Sequence, residues 1–83
     1  MSEASLREKA RRHLQQGSIP NKVPRRVYGG LGIGARCHVC SLPVRPDESE
    51  IELQFFRDAV EKPQLAVFHL HTRSFAAWEL ERA

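Results

Sequence analysis

Cysteine is scarce in this chain: its 83 residues hold two, Cys37 and Cys40. A secreted scaffold of this length carries several cysteine pairs, so a disulfide-built fold is excluded and a reducing compartment is expected. Long apolar runs are missing as well. Nowhere do eighteen apolar residues follow one another, which excludes a spanning helix, and Met1–Arg7 has no apolar stretch of signal-peptide type. The chain therefore reads as soluble and cytoplasmic, with no membrane partner. Acidic residues are sparse in the first third. Residues 1–36 hold Glu3 and Glu8 against eight Lys/Arg, a net +6, whereas residues 37–83 hold eight Asp/Glu against five Lys/Arg, a net −3. That split describes a basic arm on a mildly acidic body. With 41% of residues hydrophobic, one modest core is expected, of the size that commonly needs a metal or a partner.

What is there is a set of metal donors. Cys37-His38-Val39-Cys40 is a C-x-x-C pair, and Phe68-His69-Leu70-His71 follows, with thirty residues between Cys40 and His71. Thiolate sulfur and neutral imidazole nitrogen are donors that Zn²⁺ prefers, and a two-residue gap lets two thiolates reach one tetrahedral ion. Cys37, Cys40 and His71 are the expected ligands of a single zinc ion. His69 is the best candidate for a fourth, because it shares a strand face with His71. His38, Asp47 and a water molecule are the other candidates. Ser74 stands where an H-x-x-C ending would put a cysteine, and serine lacks the soft, easily ionised sulfur.

The order of elements gives the expected fold. Ser5-Leu6-Arg7-Glu8 matches a capping box with Ser5 as N-cap, and Gly17 marks the end of a basic helix over residues 1–17. Leu6, Ala10 and Leu14 form its narrow apolar stripe. Residues 18–36 read as a Pro/Gly-rich connector, whose Ile19, Val23, Val27, Tyr28, Leu31 and Ile33 are expected to pack on the body. The glycines from Gly29 to Gly34 fit no nucleotide-binding pattern and are read as allowing close backbone approach to the knuckle. In the body, residues 37–83, Glu50–Phe55 alternates polar and apolar as a half-buried strand, and Leu65–His71 forms its partner. A turn from Arg57 to Pro63 joins them. Ala66, Phe68 and Leu70 face one side of the second strand, with Leu65, Val67, His69 and His71 on the other. A helix from Arg73 to Arg82 follows, with Phe75 and Trp78 on one face. The class is α+β: one domain, a small treble-clef-like finger made of N-terminal helix, connector, cysteine knuckle, two-stranded antiparallel hairpin and C-terminal helix.

These residues together resemble a group of short uncharacterised bacterial proteins. The likeness rests on the glycine run leading to Cys37-x-x-Cys40, on Phe68-His69-Leu70-His71, and on Phe75-Ala76-Ala77-Trp78-Glu79. It covers nearly the whole chain and implies a treble-clef-like metal site at Cys37, Cys40 and His71. The group's ending is H-x-H-x-x-C-F-x-x-W-E, and Ser74 replaces its last cysteine here.

Three functions compete. The first is a small zinc-binding interaction module, regulatory and non-catalytic, working through a protein partner. The second is a nucleic-acid-binding finger that uses Arg7, Arg11, Arg12, Arg25 and Arg26 on phosphates, with Tyr28 available for stacking. The third is a zinc-dependent hydrolase or nuclease with water in the fourth position. Enzyme chemistry is disfavoured, because no carboxylate neighbours the histidines as a general base and the only asparagine, Asn21, suits no histidine–asparagine pair.

Overall fold

The computed structural model describes residues 1–57 and 64–82. Five elements follow in order: α1 (Glu3–Gln16), β1 (Arg26–Leu31), β2 (Ser49–Arg57), β3 (Gln64–His71) and α2 (Thr72–Glu81). The architecture is α+β, with a three-stranded antiparallel sheet ordered β1-β2-β3 rather than the expected two-stranded hairpin. The turn expected from Arg57 to Pro63 begins too early, since β2 runs through Arg57; residues 58–63 lie outside the described residues.

Helix α1 starts one turn before the expected cap. Ser2 is the N-cap, and its Oγ accepts the Ser5 N–H at 3.1 Å. With one of the unpaired first-turn donors satisfied there, Ser5 becomes helical. Glu8, freed from a capping role, pairs instead with Arg12 one turn on, at 3.3 Å. At the other end Gly17 adopts φ 73°, and Ser18 N–H donates to His13 O. This is the left-handed cap that glycine accepts without a Cβ penalty.

The third strand comes from the connector. Arg26–Leu31 pairs along β2 from Arg26↔Gln54 to Leu31↔Ser49. All six of its residues are exposed, so it shows no alternation of burial and carries no period-two signature. Of the apolar connector residues expected to pack on the body, only Ile19 is buried. Val23, Val27, Tyr28, Leu31 and Ile33 are exposed; β1, which carries Val27, Tyr28 and Leu31, packs on β2 and on neither helix. β2 and β3 pair from Glu50↔His71 to Arg57↔Gln64. Here the alternation holds: Phe68 and Leu70 are buried and Ala66 half-buried, while Leu65 and Val67 are exposed.

Leu53, Phe55, Phe68 and Leu70 line the inner sheet face, and α2 lays Ala77 and Trp78 on it. Phe55 sits edge-to-face with both Phe68 and Trp78, at centroid distances of 5.6 and 6.2 Å. Trp78 is fully buried, as a core residue rather than an interface anchor. α1 adds Leu6 and Ala10 to the same cluster and is held to α2 by Arg7 and Arg11, which bracket Glu81 at 2.9 and 2.6 Å. The basic arm thus docks on the chain's own acid.

One glycine is obligatory for a close approach. A Cβ on Gly32 would lie 2.6 Å from Val44 O and nearer still to Arg45 O. Bare backbone here lets the chain entering the knuckle cross the chain leaving it, as the sequence suggested.

Candidate metal centre

The knuckle is built by backbone hydrogen bonds before any metal is considered. Arg36 and Pro43 form a bridge, Cys37 N–H donates to Leu42 O at 2.8 Å, and Ser41 N–H donates to Cys37 O at 2.9 Å. Ser41 closes the turn at φ 68°, the one non-glycine residue with positive φ among those described. Such a conformation costs a side-chain-bearing residue about 1–2 kcal/mol. It aims both thiols inward from one tight loop. His38 N–H then donates to His69 O at 2.9 Å, fastening the knuckle to the outer edge of β3.

That fastening brings the donors together. Cys37 Sγ, Cys40 Sγ and a ring nitrogen of His71 lie within 4.8 Å of one another. Cys40 Sγ is 3.3 Å from His71 Nδ1. In a tetrahedral zinc site the sulfur–nitrogen edge is about 3.5 Å, given bonds of about 2.3 and 2.0 Å. The cluster is therefore of the right size to hold an ion after small adjustments. The other ring nitrogen of His71, Nε2, lies 3.5 Å from Glu48 Oε1, a carboxylate that also accepts the Arg45 N–H. A carboxylate on the far-nitrogen side is placed to orient the ring, as such partners do for metal-bound histidines.

The thiols are electrostatically unequal. Burial alone would raise the Cys37 pKa, but the Cys40 N–H, the Ser74 hydroxyl and the His71 and Val39 N–H groups outweigh it, bringing the thiol down to about 7. Cys40 is pushed up, by burial first and then by the charge of Cys37, against the opposing Leu42 N–H. The pair thus favours one thiolate readily, and a cation between them would favour the second. The buried Ser74 hydroxyl lies near enough to both sulfurs to favour their thiolates, but it makes no well-formed hydrogen bond to either of them or to any other group. An orphaned buried hydroxyl is costly, and an ion or its bound ligand at this point would relieve it. On these observations the donors present fit a thiophilic metal ion.

The structure brings Cys37, Cys40 and His71 together and places the other candidates elsewhere. His69 Nδ1 contacts Glu50 Oε1 at 2.6 Å across the sheet, so the best candidate for a fourth ligand is engaged with a different partner. Two positions along one strand are separated too far for both rings to converge without a bend. His38 stacks edge-on against Phe68 at 4.8 Å, and partial burial lowers its pKa. Asp47 pairs with Arg45 at 3.0 Å. The absence of carboxylates beside the histidines holds along the chain but not in space, where Glu48 and Glu50 each attend one imidazole. Antiparallel pairing that sets Glu50 opposite His71 was the signal that could have found both. Of the basic candidates, Arg7 and Arg11 bind Glu81 and Arg12 binds Glu8, whereas Arg25 and Arg26 lie beside aromatic rings.

No helix among the described residues is long and apolar enough to cross a membrane. No family model, no curated protein and no solved structure matches the chain.

Proposed function

We propose that this chain is a small zinc-binding interaction module of treble-clef-like design, in which one ion ties the knuckle, the end of β3 and the start of α2 into a non-catalytic scaffold. The observation that carries this reading is the convergence of Cys37 and Cys40 of the knuckle with His71 at the end of β3, with Glu48 behind the histidine. Two soft thiolates with an imidazole select zinc over hard cations. The two nearby carboxylates orient imidazoles, which supports a structural rather than an acid–base role for them. The partner-facing side is β1. It ends the sheet order, and with the loop beyond it exposes Val27, Leu31 and Ile33 at 48%, 70% and 72%. An edge strand bearing apolar side chains is suited to receiving a protein segment.

Native mass spectrometry with and without a strong chelator tests the metal. One zinc per chain, lost together with the compact charge-state distribution, is the expected result. A compact, metal-free protein would overturn the reading.

A nucleic-acid reading is favoured by one specific arrangement. Arg25 lies 4.1 Å over the Phe56 ring, Arg26 Nη1 donates to Tyr28 Oη at 3.0 Å, and Lys22 Nζ donates to Phe56 O at 3.4 Å. Among the described residues these three cations have no carboxylate partner, unlike Arg7, Arg11 and Arg12 of α1. Basic groups around two exposed rings suit a single strand. Three phosphate contacts would give a log–log salt slope of about −2. Binding that is unaffected by neutralising Lys22, Arg25 and Arg26 would remove this reading.

A further inference from the structure

A metal held by Cys37, Cys40 and His71 is one donor short of the closed sets found in structural zinc sites, which are four cysteines, three cysteines with a histidine, or two of each. Cys40 and His71, both partly exposed, and the buried Ser74 form one side of a cleft of about 440 Å³ whose other walls include Leu6, Leu42, Glu48 and Arg73. A space of that size accommodates a small molecule. Ser74, 1% exposed and with no well-formed hydrogen bond at its Oγ, belongs to the same lining. This is the polar atom that a ligand entering the cleft would meet beside the metal.

We infer that the fourth ligand comes from outside the chain, as the thiolate of a low-molecular-weight thiol seated in this cleft; the inference rests on the metal reading above. Softness argues for sulfur. The chain already supplies two thiolates, and a third with one imidazole completes a common closed set. Charge permits it. Zn²⁺ with two thiolates and a neutral imidazole is uncharged and a third thiolate makes the centre −1, while the cleft wall holds one cation, Arg73, and one carboxylate, Glu48, and so adds no net repulsion. Leu6 and Leu42 supply apolar surface for the body of the thiol. The exchange is a simple substitution. The thiol loses its proton to solvent, its sulfur forms a bond to the metal, and the departing ligand is water. No electron changes hands. Ser74 Oγ can donate to the incoming sulfur, which would satisfy the orphaned hydroxyl.

Cobalt substitution makes the exchange visible, because thiolate–cobalt charge-transfer absorption scales with the number of bound thiolates. The cobalt-loaded protein is titrated with 2-mercaptoethanol, and with sodium azide as a hard-anion control. The charge-transfer band is expected to rise about 1.5-fold, as the count goes from two to three, with saturation by the thiol and little response to azide. Ser74→Cys should begin at the higher intensity and ignore the added thiol. Leu42→Trp, at an exposed position on the cleft wall, should retain the two-thiolate band and lose the response. No charge-transfer band on adding cobalt would overturn the metal reading itself. A normal band that the thiol leaves unchanged, an equal response to azide, or stripping of the metal by the thiol would each overturn this inference. The metal reading would survive the first two.

Discussion

Substituting Gly32 by alanine puts the crossing of the two knuckle strands to a quantitative test. The added Cβ would meet Val44 O at 2.6 Å and Arg45 O more closely still. Both are backbone atoms, so no side chain can swing aside. Ordinary carbon–oxygen contact is about 3.3 Å, so the two segments must part by at least roughly 0.7 Å. They are held by Gly32 N–H to Glu48 O, Gly34 N–H to Val44 O and Val44 N–H to Ala35 O, each 2.8 Å long. Overpacking of this kind costs about 1–3 kcal/mol. Weakening two or three such hydrogen bonds adds about 1 kcal/mol for each bond lost. The total is about 3–6 kcal/mol, against about 4–12 kcal/mol for a whole domain of this length. In urea, with a slope near 1–1.5 kcal/mol per molar, the midpoint should fall by about 2–6 M, or the cooperative transition should vanish. Gly30→Ala is the matched control. It lies two residues away with nothing within 4 Å of its Cβ, and should shift stability by less than about 0.5 kcal/mol. If the two variants unfold at the same urea concentration, the close approach is not what constrains position 32.

Cys40→Ser removes the thiolate nearest His71 and should reduce cobalt or zinc affinity at least about 100-fold, read by competition with a chromophoric chelator; unchanged affinity would mean that the metal lies elsewhere. Glu81 gives a pH signature. Hydrogen bonds from Arg7 and Arg11 hold its carboxyl below the usual range, so its stabilising effect is complete above its unfolded pKa of about 4.3 and is lost as pH falls through the lower folded value. Glu81→Gln should therefore have a lower Tm than wild type at pH 7 and match it at strongly acidic pH; an equal gap at both would refute the linkage. Phe55→Ala deletes the ring that contacts both Phe68 and Trp78, and should cost about 3–5 kcal/mol by denaturant titration, whereas a loss below about 1 kcal/mol would mean that those rings close the gap.

The elements with a buried face were legible in the sequence. β2 and β3 alternate because one side meets Trp78 and the knuckle, and α1 and α2 carry stripes because each meets the other or the sheet. β1 was hidden for the converse reason: with all six residues exposed and two of them glycine, nothing in its side chains reports backbone pairing. The cap of α1 was misplaced because Ser2 and Ser5 offer the same chemistry three residues apart, and local pattern does not rank them. The thiols and His71 were readable from donor type and spacing. The fate of His69 was not, because its partner Glu50 is nineteen residues away and meets it only through sheet register. Glu48 escaped notice for the same reason.

Helix α1 is joined to α2 by pairs separated by 74 and 70 residues, Arg7 and Arg11 with Glu81. This has a kinetic consequence. Closing a loop of that length in an otherwise unfolded chain costs about 4 kcal/mol of entropy, by the logarithmic dependence on loop length. Once the sheet has formed, only the nine residues between Gln16 and Arg26 remain slack, and closure costs about 2 kcal/mol. The cheaper route assembles sheet and α2 first and docks α1 last. The helix should then open first under native conditions, exchanging its amide hydrogens well before those of Leu53 and Leu70.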